Sequence, residues 1–520
     1  MRLFDHFDYH AREMPDAEFA VFGARRMSWG EARDEANRIA NALATAGLGP
    51  GDRAAFLAKN SIEAVLFFYG AAKAGVVPVP LNYRLAPPEW SYIVNDAEAR
   101  ILVARGELAA QIDGVRGELP KIERWIALDA ERPGWTPWRA WLDAQPATPP
   151  ARHVADDADL YQMYTSGTTG RPKGAVLTHR AVTSNLAQFG TALGLGPGDR
   201  YLIVAPLYHA AAALAAFWTV QEGGTVVIHE DFHPAEVVRA LSEERIHATT
   251  LVPAMIQACL VHVPDVANRR YDALRFVVYG ASPIAEQTLR RALEVFQCEF
   301  AQGYGMTETT AALTFLVPKD HERALREKPG LLLSAGRPLP GTEIRIVGEN
   351  GEPVPPGTIG QIVGRGPQLM RGYWNLPEAT KEALRGGWMH TGDAGTLDAE
   401  GYLYIQDRVK DMIVSAGENI YPREVEEVLF QHPAVADAAV IGVPDAAFGE
   451  AVKAIVVLRQ GAKASAGEIM EFCKGRLGGY KRPRSVDFLD QLPRNPSGKV
   501  LKRELREPYW KGQTRRVAGS

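Results

Sequence analysis

The stretch Tyr164-Thr165-Ser166-Gly167-Thr168-Thr169-Gly170-Arg171-Pro172-Lys173-Gly174 is the strongest constraint in this sequence. Its glycines let backbone N–H groups approach a ligand closely, and its hydroxyls and cations complement phosphate oxygens. Leu160 to Tyr164 reads as a strand entering the loop, and Ala175 to Leu177 as a strand leaving it. A helix begins only after Thr178, a residue suited to an N-cap. This is not a Walker A loop, which requires Gly-Lys-Ser/Thr between a strand and a helix. Here Pro172 takes the place of the second glycine, and Lys173 is followed by Gly174. A glycine-rich phosphate loop between two strands is one reading. A solvated polar turn is the other.

At 520 residues the chain calls for more than one domain. Hydrophobic residues make up 46% and charged residues 23%, as in a soluble globular protein. With 58 Lys and Arg against 62 Asp and Glu, composition gives no reason to expect nucleic acid as a partner. Cys259, Cys298 and Cys473 are too scattered for a disulfide framework or a metal site, which points to a reducing, cytoplasmic setting. The N-terminus has no apolar leader. The apolar run from Tyr201 to Val220 is interrupted by Pro206 and His209, so it is expected to form a buried strand, a turn and a core helix rather than a membrane span.

Strands and helices alternate from the start. Ser28 and Glu31 form a capping-box pattern, opening a helix with Ala32, Ala36, Ile39 and Leu43 on one face. A strand is expected at 54–58, then a helix capped by Asn60 or Ser61, and further strands at 76–80 and 101–104. Residues 129–157 read as an irregular connector, after which the α/β alternation resumes. Short strands at 343–347 and 359–364 suggest a β-rich subdomain. From about residue 407 a small α+β unit follows, with helices at 424–431 and 464–477. The fold class is therefore α/β: a large N-terminal domain of α/β layers plus a β-rich subdomain, then a small α+β domain.

Four more clusters could carry chemistry. Gly303-Tyr304-Gly305-Met306-Thr307-Glu308 combines close backbone approach, an aromatic ring, a hydroxyl and a carboxylate, or is a glycine turn before a helix. Asp393, after Thr391-Gly392, could accept hydrogen bonds from two ribose hydroxyls, or close an Asx turn. Asp407-Arg408-Val409-Lys410-Asp411 could be a hinge or a solvated charge run. Pro493 to Lys499 puts a lysine at a turn tip, where a surface lysine is the ordinary expectation. His209 sits among apolar residues with no nucleophile and carboxylate to complete a hydrolase triad.

Taken together and in order, these clusters resemble the adenylate-forming superfamily of acyl-CoA synthetases, adenylation domains and beetle luciferases. The resemblance covers nearly the whole chain and is strongest to bacterial medium- and long-chain fatty-acyl-CoA ligases. It implies a domain over 1–406, a hinge over 407–410 and a mobile domain over 411–520. It implies that ATP, Mg²⁺, CoA and a small carboxylic acid are the reactants and cofactors. Thr165, Ser166, Gly167, Thr168, Thr169 and Lys173 would then form the phosphate loop. Gly280, Ala281, Ser282, Gln302, Gly303 and Tyr304 would surround the adenine, and Asp393 and Arg408 would hold the ribose. Lys410 would be the pivot, and Gly417 would line the pantetheine channel. Thr165 and Glu308 would hold Mg²⁺, with Lys499, His209 and Thr307 as the catalytic candidates. A homodimer and peripheral membrane contact are compatible with this reading.

The same resemblance places Tyr208, His209, Ala210, Ala213, Pro253, Ala281, Gly303 and Ala311 around the acyl group. Many are small, which suits a medium or long chain or an aryl acid. The residues after His209 are alanines, so nothing there would pair with an α-amino group, and an amino acid substrate is disfavoured. Hydroxycinnamate–CoA ligase, carrier-protein-loading ligase and non-catalytic nucleotide binder are the competing readings.

Overall fold

The computed structural model describes residues 1–129, 131–165, 171–282, 284–348, 350–408, 411–415, 418–445, 448–474, 476–494 and 499–511. Near the N-terminus, strands Val77–Pro80, Arg53–Leu57, Ile101–Ala104, Arg124–Ala127 and Thr136–Pro137 make a parallel sheet in that spatial order. Arg53–Leu57 and Ile101–Ala104 are buried throughout, as strands covered on both faces must be. The Ser28–Glu31 capping box opens helix Trp29–Thr45 as expected. Ser61 caps helix Ile62–Ala74, which ends at Gly75 in the left-handed region.

A second, nine-stranded sheet forms the body of the large domain. Its interior strands Glu299–Tyr304, Phe276–Gly280, Ala248–Thr250, Arg200–Ile203, Thr225–Ile228 and Glu18–Phe22 are parallel. Antiparallel strands close both edges. The apolar run after Tyr201 is a strand followed by the buried helix Ala210–Gln221, as the sequence predicts. In the described residues no helix is long and apolar enough to cross a membrane.

Two smaller sheets complete this domain. Asp159–Thr165 and Lys173–Thr178 pair as the antiparallel arms of the glycine-rich loop, and Gly372–Tyr373 adds a third strand beside them. Glu343–Val347, Gly360–Arg365, Met389–Leu397 and Leu403–Arg408 form a four-stranded antiparallel sheet, the expected β-rich subdomain. The small domain has its own sheet. In it Gly449–Leu458 pairs with Val435–Asp445, Ser485–Phe488 and Ile413–Ser415, and Ile413 pairs onward with Ile420. Ile413, Val425, Leu429, Val440 and Val452 share a separate core there.

Two expectations need correction. The 129–157 connector contains helix Trp138–Asp143, held because Trp135, Trp138 and Trp141 are buried and Arg139 forks onto Glu35 at 2.8 Å. The helix expected over 464–477 is only Ala466–Phe472, because Ser465 caps its start by accepting from Glu468 N. Buried Cys473 then turns the chain into the small-domain core.

Gly336 joins the edge of the nine-stranded sheet to the four-stranded sheet, accepting from Leu403 N at 2.8 Å. Its φ is +81°, and a Cβ there would lie 1.9 Å from the carbonyl carbon of Phe315. Gly351, also left-handed at +80°, has nothing within 4 Å of such a Cβ. Gly336→Ala is expected to cost about 3 kcal/mol or more, and Gly351→Ala about 1 kcal/mol. Thermal unfolding of the two variants checks this, and equal shifts would contradict it.

Candidate active site

The arms of the glycine-rich loop meet at Thr165 and Lys173, which are paired in register. The Thr165 hydroxyl lies 3.5 Å from the Lys173 carbonyl. Ser166, Gly167, Thr168 and Thr169 lie outside the described residues. The base of the loop is fixed by a chain of contacts across three elements. Tyr164 donates to Asp96 Oδ2 at 2.6 Å, and Gln162 donates to the Tyr164 hydroxyl at 2.9 Å. Burial and the Asp96 carboxylate push the Tyr164 phenol pKa up, so it stays a donor at neutral pH. The Arg53 guanidinium lies 3.4 Å from the Trp374 ring centroid, and Trp374 Nε1 donates to the Asp96 carbonyl at 3.0 Å. Trp374 N closes the circuit onto Gly174 O at 2.8 Å. Gly174 has no room for more: a Cβ would lie 2.7 Å from Gln162 Nε2.

In α/β sheets, ligands bind at the carboxyl ends of the parallel strands. Gly280 and Gly303 are register partners there, and a Cβ on Gly280 would sit 2.3 Å from Gly303 O. Gln302 is half-buried beside them; Ala281 is exposed and holds φ +65° next to half-buried Ser282. Tyr304 ends its strand and donates to Asp393 Oδ2 at 2.9 Å. Asp393 does not close a loop. It sits on a bulge in strand Met389–Leu397, just after Gly392 at φ +73°. Its backbone N donates to Thr391 Oγ1 at 3.1 Å, and across the next strand its Cα faces Arg408. Two residues read separately from the sequence are thus opposite neighbours.

Glu308 follows on the short turn Thr307–Thr309 and is only 5% exposed. Tyr373 donates to its Oε1 at 2.7 Å, and Met370 N donates to its carbonyl at 2.8 Å. The Lys173 ammonium lies 5.1 Å from the Tyr373 ring centroid. Tyr373 therefore ties the loop arm to the carboxylate, a role that no motif spacing announced. The signal available in the sequence was the aromatic pair Tyr373-Trp374 directly after Gly372. Among the described residues, no group of three His, Cys, Asp or Glu could hold a metal ion. A magnesium ion carried on phosphate oxygens needs only one or two protein carboxylates, so Glu308 fits that mode.

His209 precedes helix Ala210–Gln221, its ring centroid 4.4 Å from that of Tyr208 and tilted 52° against it. Its Nε2 is buried with no hydrogen-bond partner among the described residues. Burial, with the charge of Arg84 second, pushes its pKa down to about 4. It is a neutral imidazole at pH 7 and cannot serve there as a cationic acid. Ala210 and Ala213 are packed into the core, Pro253 is buried, and Ala311 is half-buried. Lys499 lies in the small domain, next to Val500, which bridges to Arg494. Strand Leu403–Arg408 runs into the expected hinge, whereas Val409, Lys410 and Gly417 lie outside the described residues.

Residues 7–374 match the AMP-binding enzyme family, and residues 424–499 match the AMP-binding enzyme C-terminal domain. The chain is 41% identical to a feruloyl-CoA synthase from an Amycolatopsis species, over 96% of this chain and 97% of that one. It is 39% identical to the fatty acid–[acyl-carrier-protein] ligase ScoC of Streptomyces coeruleorubidus, over 98% and 96%. The solved fatty acyl CoA synthetase of Mycobacterium tuberculosis superposes with a TM-score of 0.78 at 36% identity, covering 99% of each chain.

The depressed pKa of His209 has a sign that can be checked. Between about pH 6.5 and 4 the unfolded chain binds this proton and the folded chain does not. The stability it contributes is complete above pH 6.5 and falls by up to about 3 kcal/mol as pH drops to 4. His209→Gln should therefore flatten the acid side of the melting-temperature profile. Parallel profiles for the two proteins would contradict the assignment.

Proposed function

The chain belongs to the AMP-binding enzymes and is an AMP-forming acid–thiol ligase, and from that premise we propose that its acid is a medium- or long-chain fatty acid and its acceptor CoA. Two linked sets of residues support this reading: Lys173, Tyr373 and Glu308 meet in one, and Tyr304 and Asp393 in the other. They supply a cation and two hydrogen-bonded carboxylates, groups that a nucleoside triphosphate with its magnesium ion requires. Small apolar residues follow His209 in place of an acid, which suits an uncharged acyl tail.

A carboxylic acid is ionised at pH 7 and needs no general base. Its obstacle is the negative charge of the α-phosphate it must attack. The carboxylate oxygen bonds to the α-phosphorus, the bond to the β-phosphate oxygen breaks, and pyrophosphate leaves. Lys173 with Thr165 and the loop would hold that leaving group, and Lys499 and Thr307 would stabilise charge at the α-phosphate. Tyr304 would stack on adenine beside Gly280, Ala281, Ser282, Gln302 and Gly303, while its hydroxyl holds Asp393 ready for the ribose. Arg408 would be the second ribose partner. Glu308 and Thr165 would hold Mg²⁺, whose chemistry is to offset phosphate charge. In the second step the CoA sulfur attacks the acyl carbonyl carbon, the bond to the AMP oxygen breaks, and the thiol proton passes to water. Neutral His209 would border the acyl carbonyl without giving up a proton. Lys499 would obstruct this step, so rotation about 407–410, with Lys410 as pivot, would exchange it for a channel past Gly417.

A second reading has its own support, since the feruloyl-CoA synthase relative is 41% identical over nearly the full chain. Acid-dependent AMP release measured with CoA on octanoate, palmitate, benzoate and ferulate separates the two. The proposal expects a fatty acid to exceed both aryl acids in kcat/KM by at least about tenfold, or ~1.4 kcal/mol in transition-state binding. A preference for ferulate would replace it. Turnover with a carrier protein and none with CoA would move the acceptor instead.

A further inference from the structure

The segment carrying Lys499 is fastened within the small domain by contacts that the reaction does not use. Leu501 N donates to Pro493 O at 2.8 Å, and Val500 bridges to Arg494, so residues 500–501, directly after Lys499, are tied to residues 493–494. A short helix, Lys502–Arg506, follows at once. Lys502 Nζ lies 2.9 Å from Glu426 Oε1, and that oxygen also accepts from Val440 N at 2.7 Å. The start of the helix is thereby pinned to the edge strand Val435–Asp445 of the sheet. Leu505 packs against Ile441, Val443 and Ile455 on the same face.

The other end of the helix reaches the domain junction. Arg506 Nη1 lies 2.7 Å from Asp411 Oδ1, and each side chain is 12% exposed. Asp411 is the first described residue beyond 407–410. An ion pair on the open surface is worth little, because water competes for both charges. A pair this buried behaves differently. Opening it would strand two charges away from water, so it stays closed although the pair itself adds little net stability. One contact therefore locks the residue that leaves the junction to the helix that continues from Lys499.

We propose that the Asp411–Arg506 ion pair is a positioning device that holds Lys499 at a fixed place relative to the pivot. Rotation of the small domain then delivers the ammonium to the α-phosphate instead of swinging it on a loose segment. This rests on the role proposed for Lys499 above. The geometric demand is severe, since an ångström of misplacement of a catalytic group costs about 100-fold in rate. CoA transfer takes place with Lys499 withdrawn and does not share that demand. A pair that merely held the small domain together would affect both half-reactions alike.

The test compares the half-reactions in the full-length enzyme, with palmitate, octanoate, benzoate and ferulate supplied to the first and the corresponding acyl-AMP to the second. Asp411→Asn is expected to lower acid-dependent pyrophosphate release about 10- to 100-fold while CoA transfer stays within about twofold. The reversed pair, Asp411→Arg with Arg506→Asp, is expected to recover most of the first half-reaction. Should Asp411→Asn fail to fold, Arg506→Lys, which keeps the charge and shortens the reach, is read in the same way. Equal loss of both half-reactions, or no loss in the first, overturns the inference. Lys499→Ala, run in parallel, separates the two layers. If it leaves pyrophosphate release intact, the role of Lys499 itself falls. If it suppresses release and Asp411→Asn does not, only the positioning role falls.

Discussion

The site depends on one hydrogen bond between two sheets. Tyr304 stands at the end of a parallel strand in the nine-stranded sheet, and Asp393 stands on a bulge in the four-stranded sheet. Their 2.9 Å contact ties the two sheets together at the strand ends, alongside the backbone bond from Leu403 N to Gly336 O. A hydrogen bond to a charged acceptor is worth about 1.5–3 kcal/mol, enough to hold two side chains in one arrangement. Tyr373 makes a second tie of the same kind, joining the loop arm to Glu308. Each tyrosine spans a gap with its ring and presents a hydroxyl to a carboxylate.

This arrangement explains why the site is electrostatic and needs no acid–base pair. Both reacting groups are anions at pH 7, so the protein has to supply positive charge and fixed orientation. Lys173 supplies charge at the loop arm, and the network of Arg53, Trp374, Asp96 and Tyr164 holds that arm in place. Burial keeps His209 neutral, which fits the place proposed for it beside the acyl group. In the proposed reaction the remaining cation, Lys499, comes from a second domain. Its usefulness then depends on how firmly its own segment is held.

Much of this was legible in the sequence because it is local. Capping boxes, apolar strand runs and glycine turns fixed the element order, and strand Ile101–Ala104 runs between the residues expected. The clusters at 164–174, 303–308 and 393 stand out by residue type, but singly each also reads as an ordinary turn, and only their order along the chain points to a nucleotide. What stayed hidden depends on pairings between distant segments. Nothing in the spacing of Asp393 and Arg408 says that they face each other across a ladder, or that Asp393 sits on a strand bulge. Arg53 reads as the start of a buried strand, and only the fold stacks it on Trp374. The three tryptophans near 138 read as part of a connector because distant segments bury them, Trp135 against Trp125 and Trp138 with Trp141 in the main core, and not their own periodicity.

The central claim is that this enzyme joins a carboxylate to the α-phosphate of ATP before any thiol takes part. Exchange of labelled pyrophosphate into ATP, measured without CoA and with the favoured acid present or withheld, tests it most directly. The account predicts exchange that requires the acid and proceeds without CoA. Exchange without acid, exchange only when CoA is added, or release of inorganic phosphate in place of pyrophosphate would contradict it.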